Sequence, residues 1–220
     1  MNDSTSLQLL VLAGVALFLF LKLRSVLGTR EGFEKPPVPR RGSSRDVERN
    51  FEVIEGGPDR DITDHVEEGS AEEKVLMAMK AVDPNFSVTE FIGGARGAYE
   101  MILMGFERGD LGAIKPFLAP DVYETFAEVV TDREFKGLTI EAEFVGIRET
   151  TIVGAEFNSS TRQGEISVRL IGELTSVVRD RGGDIIEGDK AVVKRQRDTW
   201  TFAREMGADN PNWVLIATGE

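Results

Sequence analysis

A single histidine and no cysteine leave the carboxylates as the chief candidates for acid–base chemistry or metal ligation in this sequence. His65 falls in an acidic stretch ahead of the globular part, so no pocket there receives the commonest general base and metal ligand. It reads as a solvated side chain. No His or Cys spacing fits zinc. Most carboxylates have an ordinary use: Asp121 and Glu124 fall at helix-capping positions, Asp180 and Asp184 in a turn, Glu141 and Glu143 on a solvent face. Asp198, two residues before Trp200, is left without one, and the chain offers it no catalytic partner. The glycine-rich "FIGGARG" from Phe91 to Gly97 lacks the G-x-x-x-x-G-K-[ST] of a phosphate cradle and lies inside a helical pattern. Gly93 and Gly97 are expected to let that helix approach a neighbour closely. No catalytic residue, cofactor site or metal site is expected.

What remains is aromatic. Phe91, Tyr99, Phe106, Phe117, Tyr123, Phe126, Phe144, Trp200, Phe202 and Trp213 recur on the predicted inner faces, and most of them read as core. Phe91, Tyr99, Phe117, Tyr123 and Phe126 are the candidates for lining an apolar pocket. Tyr123 stands foremost, because the first turn of a helix lets its hydroxyl reach water. Trp200 and Trp213 sit mid-strand in alternating patterns and are expected in the core.

The elements that position these side chains can be read from caps and periods. "SAEE" from Ser70 fits a capping box opening a helix that stops at Asp83-Pro84. In "FSVTEF", Ser87 caps, Glu90 reaches back to its amide, and Phe86 staples onto Phe91. That helix carries Ile92, Ala95, Tyr99, Ile102, Leu103 and Phe106 at three-four spacing and ends at Gly109. A short helical turn from Asp110 to Leu118 follows. Another helix opens with Asp121 as cap and runs to about Phe135. After Gly137 the period changes to two: Ile140, Ala142 and Phe144, then Ile166, Val168 and Leu170. "RDRGGD" from Arg179 joins two long strands, and Asn210-Pro211 joins the last pair. Helices first and an antiparallel meander after them make an α+β domain, one layer of helices against a curved sheet.

Ahead of the domain, Ser4 to Leu21 carries no charge. Eighteen residues at about 1.5 Å rise span roughly 27 Å, close to the hydrocarbon thickness of a bilayer. No positive charge precedes the run and no A-x-A follows it, so residues 1–27 read as a retained transmembrane anchor, not a cleaved signal. Lys22, Arg24 and Arg30 are its interfacial anchors. Seven Lys and Arg between residues 22 and 45, against none before, place the N-terminus outside and the rest in the cytoplasm. On that side the "NSS" triplet at Asn158 is no glycosylation acceptor. Residues 28–69 read as a disordered linker: "KPPVPRR" is stiff, and from Asp46 to Gly69 nine carboxylates face two arginines. Residues 70–220 are the globular domain. Its 17 Lys and Arg against 26 Asp and Glu repel phosphate backbones, so no nucleic acid is expected as partner.

Two blocks, "FIGGARGAYEMILMGFERGDLGAIKPFLAPDVYETF" with "EFVGI" and "DTWTFAREMGADNPNWVLIATGE", resemble the Tim44-like domain, across about residues 70 to 219. That family is named for the C-terminal domain of the peripheral adaptor subunit of the mitochondrial presequence translocase. The anchor–linker–domain layout is most similar to its bacterial, TimA-type relatives. The resemblance implies a cystatin-like or nuclear-transport-factor-two-like cone, helices packed on a curved antiparallel sheet with a large apolar pocket. It also implies an adaptor at the bacterial inner membrane, acting in protein transport or membrane-protein assembly with translocase or assembly components as protein partners. Ala71 to Val82 and Val88 to Arg108 correspond to the family helices that touch lipid, anionic lipid included. The charged region with which the mitochondrial adaptor engages a chaperone is replaced here by an anchor and a short acidic linker. A lipid- or small-apolar-ligand-binding cone is the alternative function, and a small isomerase or dehydratase a third.

Overall fold

A computed structural model of the protein describes residues 58–219. Helices come first: α1 (Arg60–Thr63), α2 (Ala71–Val82), α3 (Val88–Arg108), α4 (Leu111–Ile114), a 3-10 turn (Lys115–Phe117) and α5 (Pro120–Lys136). Strands β1 (Thr139–Asn158), β2 (Gln163–Arg179), β3 (Ile185–Glu205) and β4 (Val214–Gly219) follow as an antiparallel meander in the order β1-β2-β3-β4. This is the α+β arrangement that the change of period at Gly137 predicts. The anchor at 1–27 with Lys22, Arg24 and Arg30, and the linker as far as residue 57, lie outside the described residues. Among the described residues no helix is long and apolar enough to cross a membrane.

Side-chain caps set the helix boundaries. Ser70 accepts from the Glu73 amide and Ser87 from the Glu90 amide, while Gly109 and Gly137 close α3 and α5 in the left-handed conformation. Two details depart from expectation. The Glu73 carboxylate reaches back to the Gly69 amide at 2.6 Å, one residue ahead of the cap. Asp121 is not the cap of α5: Ala119 holds that position without a side-chain bond, and Pro120 fills the first helical place. Pro120 has no amide to satisfy, and the Ala119 amide is already donated to the Leu215 carbonyl at 2.8 Å.

Residues ahead of Ser70 also pack against the domain. Asp61 accepts from Ser87 Oγ at 2.8 Å, from the Val88 amide at 2.8 Å and from the Thr89 amide at 2.9 Å, and pairs with Lys80 at 2.7 Å. Ile62 is buried and Val66 packs against the core. Composition assigns this stretch to the linker because its carboxylates look solvated. Asp61 is instead a partner of the first turn of a helix 26 residues downstream, and Asp59 pairs with Lys80 on α2 at 2.7 Å. His65, expected in solvent, shares a 3.0 Å hydrogen bond with the Thr89 hydroxyl.

The core lies between α3 and the inner face of the sheet. Phe91 meets Phe202 edge-on at 6.0 Å, and Tyr99 lies 4.8 Å from Trp200. Ile166, Val168 and Leu170 are fully buried beneath them. Gly172 makes room for Tyr99, whose ring carbon stands 2.7 Å from where a Cβ would be. Gly93 and Gly97 do not serve a close approach: nothing lies within 4 Å of a Cβ at either. The helical glycine that does is Gly105, against Ile114. Register slips at Phe144/Gly146, Ile147/Glu149 and Ile152/Gly154 bend β1 and curve the sheet. A larger slip, from Leu174↔Lys194 to Ser176↔Asp189, pushes Lys190–Val193 of β3 out of the ladder.

Candidate functional site

Along one face of α3, Phe91, Gly94, Ala98 and Met101 follow one another at three-four spacing. The small side chains at Gly94 and Ala98 leave space. With Phe86, Phe117, Phe202, Trp213 and the loop 207–213 they enclose a cavity of about 700 Å³. Trp213 is wedged at its mouth, 4.6 Å from Phe91 and 5.8 Å from Phe86.

A nearly buried ion pair holds this mouth together. The Arg204 guanidinium bonds Asp83, with side chains only 11% and 12% exposed. Asp83 also accepts from the Asn85 and Gly207 amides, and Arg204 donates to the Pro211 carbonyl at 3.2 Å. The pair thus ties the α2–α3 junction to the loop that carries Trp213. The same guanidinium lies 5.2 Å from the Trp213 ring and 5.6 Å from that of Phe86. Removing one partner would leave an uncompensated charge in a nearly dry place, which costs about 3–5 kcal/mol in comparable pairs.

The five aromatic residues singled out from sequence go to three places. Phe91 and Phe117 line this cavity. Tyr99 is buried and donates to Asp198 at 2.5 Å. Tyr123 and Phe126 lie on α5, half-buried, Tyr123 under the Lys115 ammonium and Phe126 4.6 Å from Phe106. They are no part of the cavity wall. Trp213, expected in the core, is half-buried and lines the cavity because it stands one residue ahead of β4. Trp200 is core as expected, 3% exposed. Arg204 and Asp83 carried no signal of their own, although Arg204 shares the strand parity of Trp200 and Phe202 and therefore faces inward.

A second cavity, of about 1070 Å³, borders β3 from Lys194 to Asp198 and reaches Glu107 on α3 and Leu174 on β2. Burial pushes the Glu107 carboxyl up, against the pull of Arg133 and Lys194. Burial, then the bond to Asp198, also pushes the Tyr99 phenol well above its ordinary value. Asp198 therefore has a structural partner, which the sequence reading lacked. Among the described residues no group of three His, Asp or Glu side chains is placed to hold a metal.

Residues 72–220 match the family model described as the Tim44-like domain, about two-thirds of the chain. The chain belongs to the Tim44-like family. No curated protein matches it. Among solved structures, it is similar to the crystal structure of the intermembrane space region of chloroplast protein ARC6. That likeness has 9% identity, a TM-score of 0.37, and covers 57% of this chain and 94% of that one. So distant a likeness says nothing about function. In this Tim44-like domain the two blocks that carry the family resemblance are brought together at the first cavity: Phe91 and Phe117 come from one, Phe202, Arg204 and Trp213 from the other.

Proposed function

We propose that the chain is a membrane-anchored adaptor whose Tim44-like domain acts in protein transport or membrane-protein assembly. Residues 1–27 cross the inner membrane, with Lys22, Arg24 and Arg30 at the cytoplasmic headgroups and the domain in the cytoplasm. The observation that carries the reading is the family match over residues 72–220. The aromatic cavity beside α3 supplies a surface on which a partner's apolar side chains can be buried. Met77, Val82 and Met101 stand exposed on α2 and α3, so the same helices can rest against lipid. The domain works by binding, in the family's cone fold, and catalyses no reaction.

The test is a photo-crosslinking residue at Phe117 or Met101 in the full chain, activated in intact membranes. Covalent adducts with translocase or assembly components, lost on Trp213→Ala, are expected. A reporter active only in the cytoplasm, fused after Glu220, should be active, and carbonate washing should leave the chain in the membrane. Adducts with abundant soluble enzymes alone, or release by carbonate, would sink the reading.

A second reading has its own observation. The cavity's volume of about 700 Å³ suits a small apolar ligand as well as a protein side chain. Saturable uptake of a fluorescent fatty acid, abolished by Gly94→Trp, would favour it.

A further inference from the structure

Lys190–Val193 stand outside the ladder of the sheet, because the pairing of β2 with β3 slips there from Leu174↔Lys194 to Ser176↔Asp189. Asp189 starts the excursion by accepting from the Ala191 amide at 2.8 Å, which uses its carboxylate on the turn itself. Lys190 then reaches Glu141 at 2.5 Å. Glu141 lies on β1, opposite Val177 and through it Gly188, so the excursion leans back across β2. It does so over the outer face of the sheet, since Ala142 and Phe144, of opposite parity to Glu141, pack on the core. Val192 and Val193 follow, 52% and 48% exposed. A raised loop that holds two aliphatic side chains in water points to an apolar contact made outside the domain. A strand laid beside β3 would cover main-chain groups at its edge and leave this face open.

Around the loop the charge is reversed. Glu141 is shared by Lys190 and Arg179, and Glu173 by Arg148 and Arg195. Glu149 takes Arg169 at 3.5 Å. With Arg197, which has the parity of Arg195, and Glu143, six cations face four carboxylates, in a chain with 26 Lys and Arg against 38 Asp and Glu. Arg148, Lys190 and Arg195 are 59%, 62% and 63% exposed, so the surplus stands in water.

An anionic bilayer fits both features. Its headgroup layer takes up aliphatic side chains to a depth of about 5–10 Å, while Lys and Arg stay at the phosphates. A nucleic-acid backbone offers the charge but no place for the valines, and the patch has no aromatic side chain on which a base could stack. The acidic remainder of the surface is repelled from the same bilayer, so charge selects one orientation.

We propose that the raised loop Lys190–Val193, with Arg148, Arg195 and Arg197, is a contact site for anionic lipid headgroups that lays the outer face of the sheet on the bilayer. The site rests on the reading that the chain is held at a membrane and needs no transport role. In this posture α2, α3 and the aromatic cavity point away from the bilayer, where a partner can reach them. It excludes a posture in which α2 and α3 rest on the same bilayer.

The chain has no cysteine, so one introduced cysteine carries one label. The full chain, with Val193→Cys bearing an environment-sensitive nitrobenzoxadiazole group, is reconstituted into vesicles of phosphatidylcholine alone or with about one-third phosphatidylglycerol. In the anionic vesicles only, emission should rise about twofold and be quenched by spin-labelled lipid. About 0.5 M salt should reverse the rise, because headgroup attraction is screened. The double variant Arg148→Gln, Arg195→Gln should lose most of it, with an unchanged melting point as evidence that it is folded. A label at Ser159→Cys, in the turn between β1 and β2 at the far end of the sheet, should not respond. Carbonate washing of the same vesicles tests the anchor separately: a rise in a chain that carbonate releases removes the anchor and keeps the lipid site. No rise at Val193→Cys overturns the proposal whichever way the wash turns out, and leaves the loop to an acidic protein surface. An equal rise in neutral vesicles overturns it too, since apolar contact alone would suffice. Quenching of a label at Met77→Cys in place of Val193→Cys does the same, because the helices would then face the lipid.

Discussion

Tyr99 Oη donates a 2.5 Å hydrogen bond to Asp198 Oδ2, joining the middle of α3 to β3 across 99 residues of sequence. Gln196 Nε2 donates to the other oxygen at 3.1 Å. The phenol stands between Trp200 and Phe144, so the bond sits where the aromatic core meets the second cavity.

Tyr99→Phe keeps the ring and removes the donor. It should lower stability by about 1–3 kcal/mol, the usual cost of leaving a half-buried acceptor short of a partner. Tyr99→Ala should cost about 3–5 kcal/mol, because a cavity is added. Urea unfolding of the two variants beside the parent measures both. Since the folded phenol titrates above the unfolded one, stability is complete below about pH 10 and falls as pH rises past it toward the folded value. Tyr99→Phe should lose that alkaline slope.

Two glycines should respond to alanine in opposite directions. Gly172→Ala sets a methyl 2.7 Å from the fully buried Tyr99 ring and should destabilise by about 1–3 kcal/mol. Gly97→Ala places a methyl in open space on α3 and should stabilise by about 0.5–1 kcal/mol. Thermal melting of each variant gives the sign directly.

Asp61 fastens residues 58–66 to the start of α3. Burial alone would raise its carboxyl; the Lys80 ammonium and the Thr89 and Val88 amides outweigh burial and hold it well below the usual carboxylate range. A lowered folded value means stability present above the unfolded pKa, about 3.9, and lost as pH falls below it toward the folded one. Asp61→Ala should cost about 1–2 kcal/mol, flatten that acid limb and speed exchange of the Val88 and Thr89 amides. Unchanged exchange at those two amides would show that Ser87 suffices as cap.

Trp200 and Trp213 separate fold from site. Trp200→Ala should cost about 3–5 kcal/mol. Trp213→Ala, half-buried at the cavity mouth, should cost clearly less and yet remove the crosslinks formed from Phe117. Equal melting points for the two variants would return Trp213 to the core.

Local chemistry made much of this domain readable. Ser70, Ser87, Gly109 and the shift of period after Gly137 each announce a boundary within a few residues of where the chain has it. What escaped was non-local. The Asp61 carboxylate lies among acidic residues that look solvated, and its partners are visible only once α1 is folded against α3. Asp198 was unassigned although its parity with Trp200 turns it inward, because its donor is 99 residues away. The glycine-rich run suggests a close approach at Gly93 and Gly97, but both face open space, and it is Gly94 that lines the cavity. Five aromatic side chains read as one pocket divide among three places. Helical spacing shows which face of a helix turns inward without showing which neighbour meets it.

Phe91 is covered by Phe202 and Trp213, side chains that follow it by more than a hundred residues. A ribosome adds about 5–20 residues per second, so the apolar face of α3 is exposed for roughly 6–24 seconds before its cover emerges. Until the sheet forms, α2 and α3 lack the strands that cover them in the folded domain, and those contacts join residues far apart in sequence, which makes their formation slow. Synthesis is therefore the interval in which this helix is open to aggregation or to a holding chaperone, and Asp83 with Arg204 can close it only after β3 has formed.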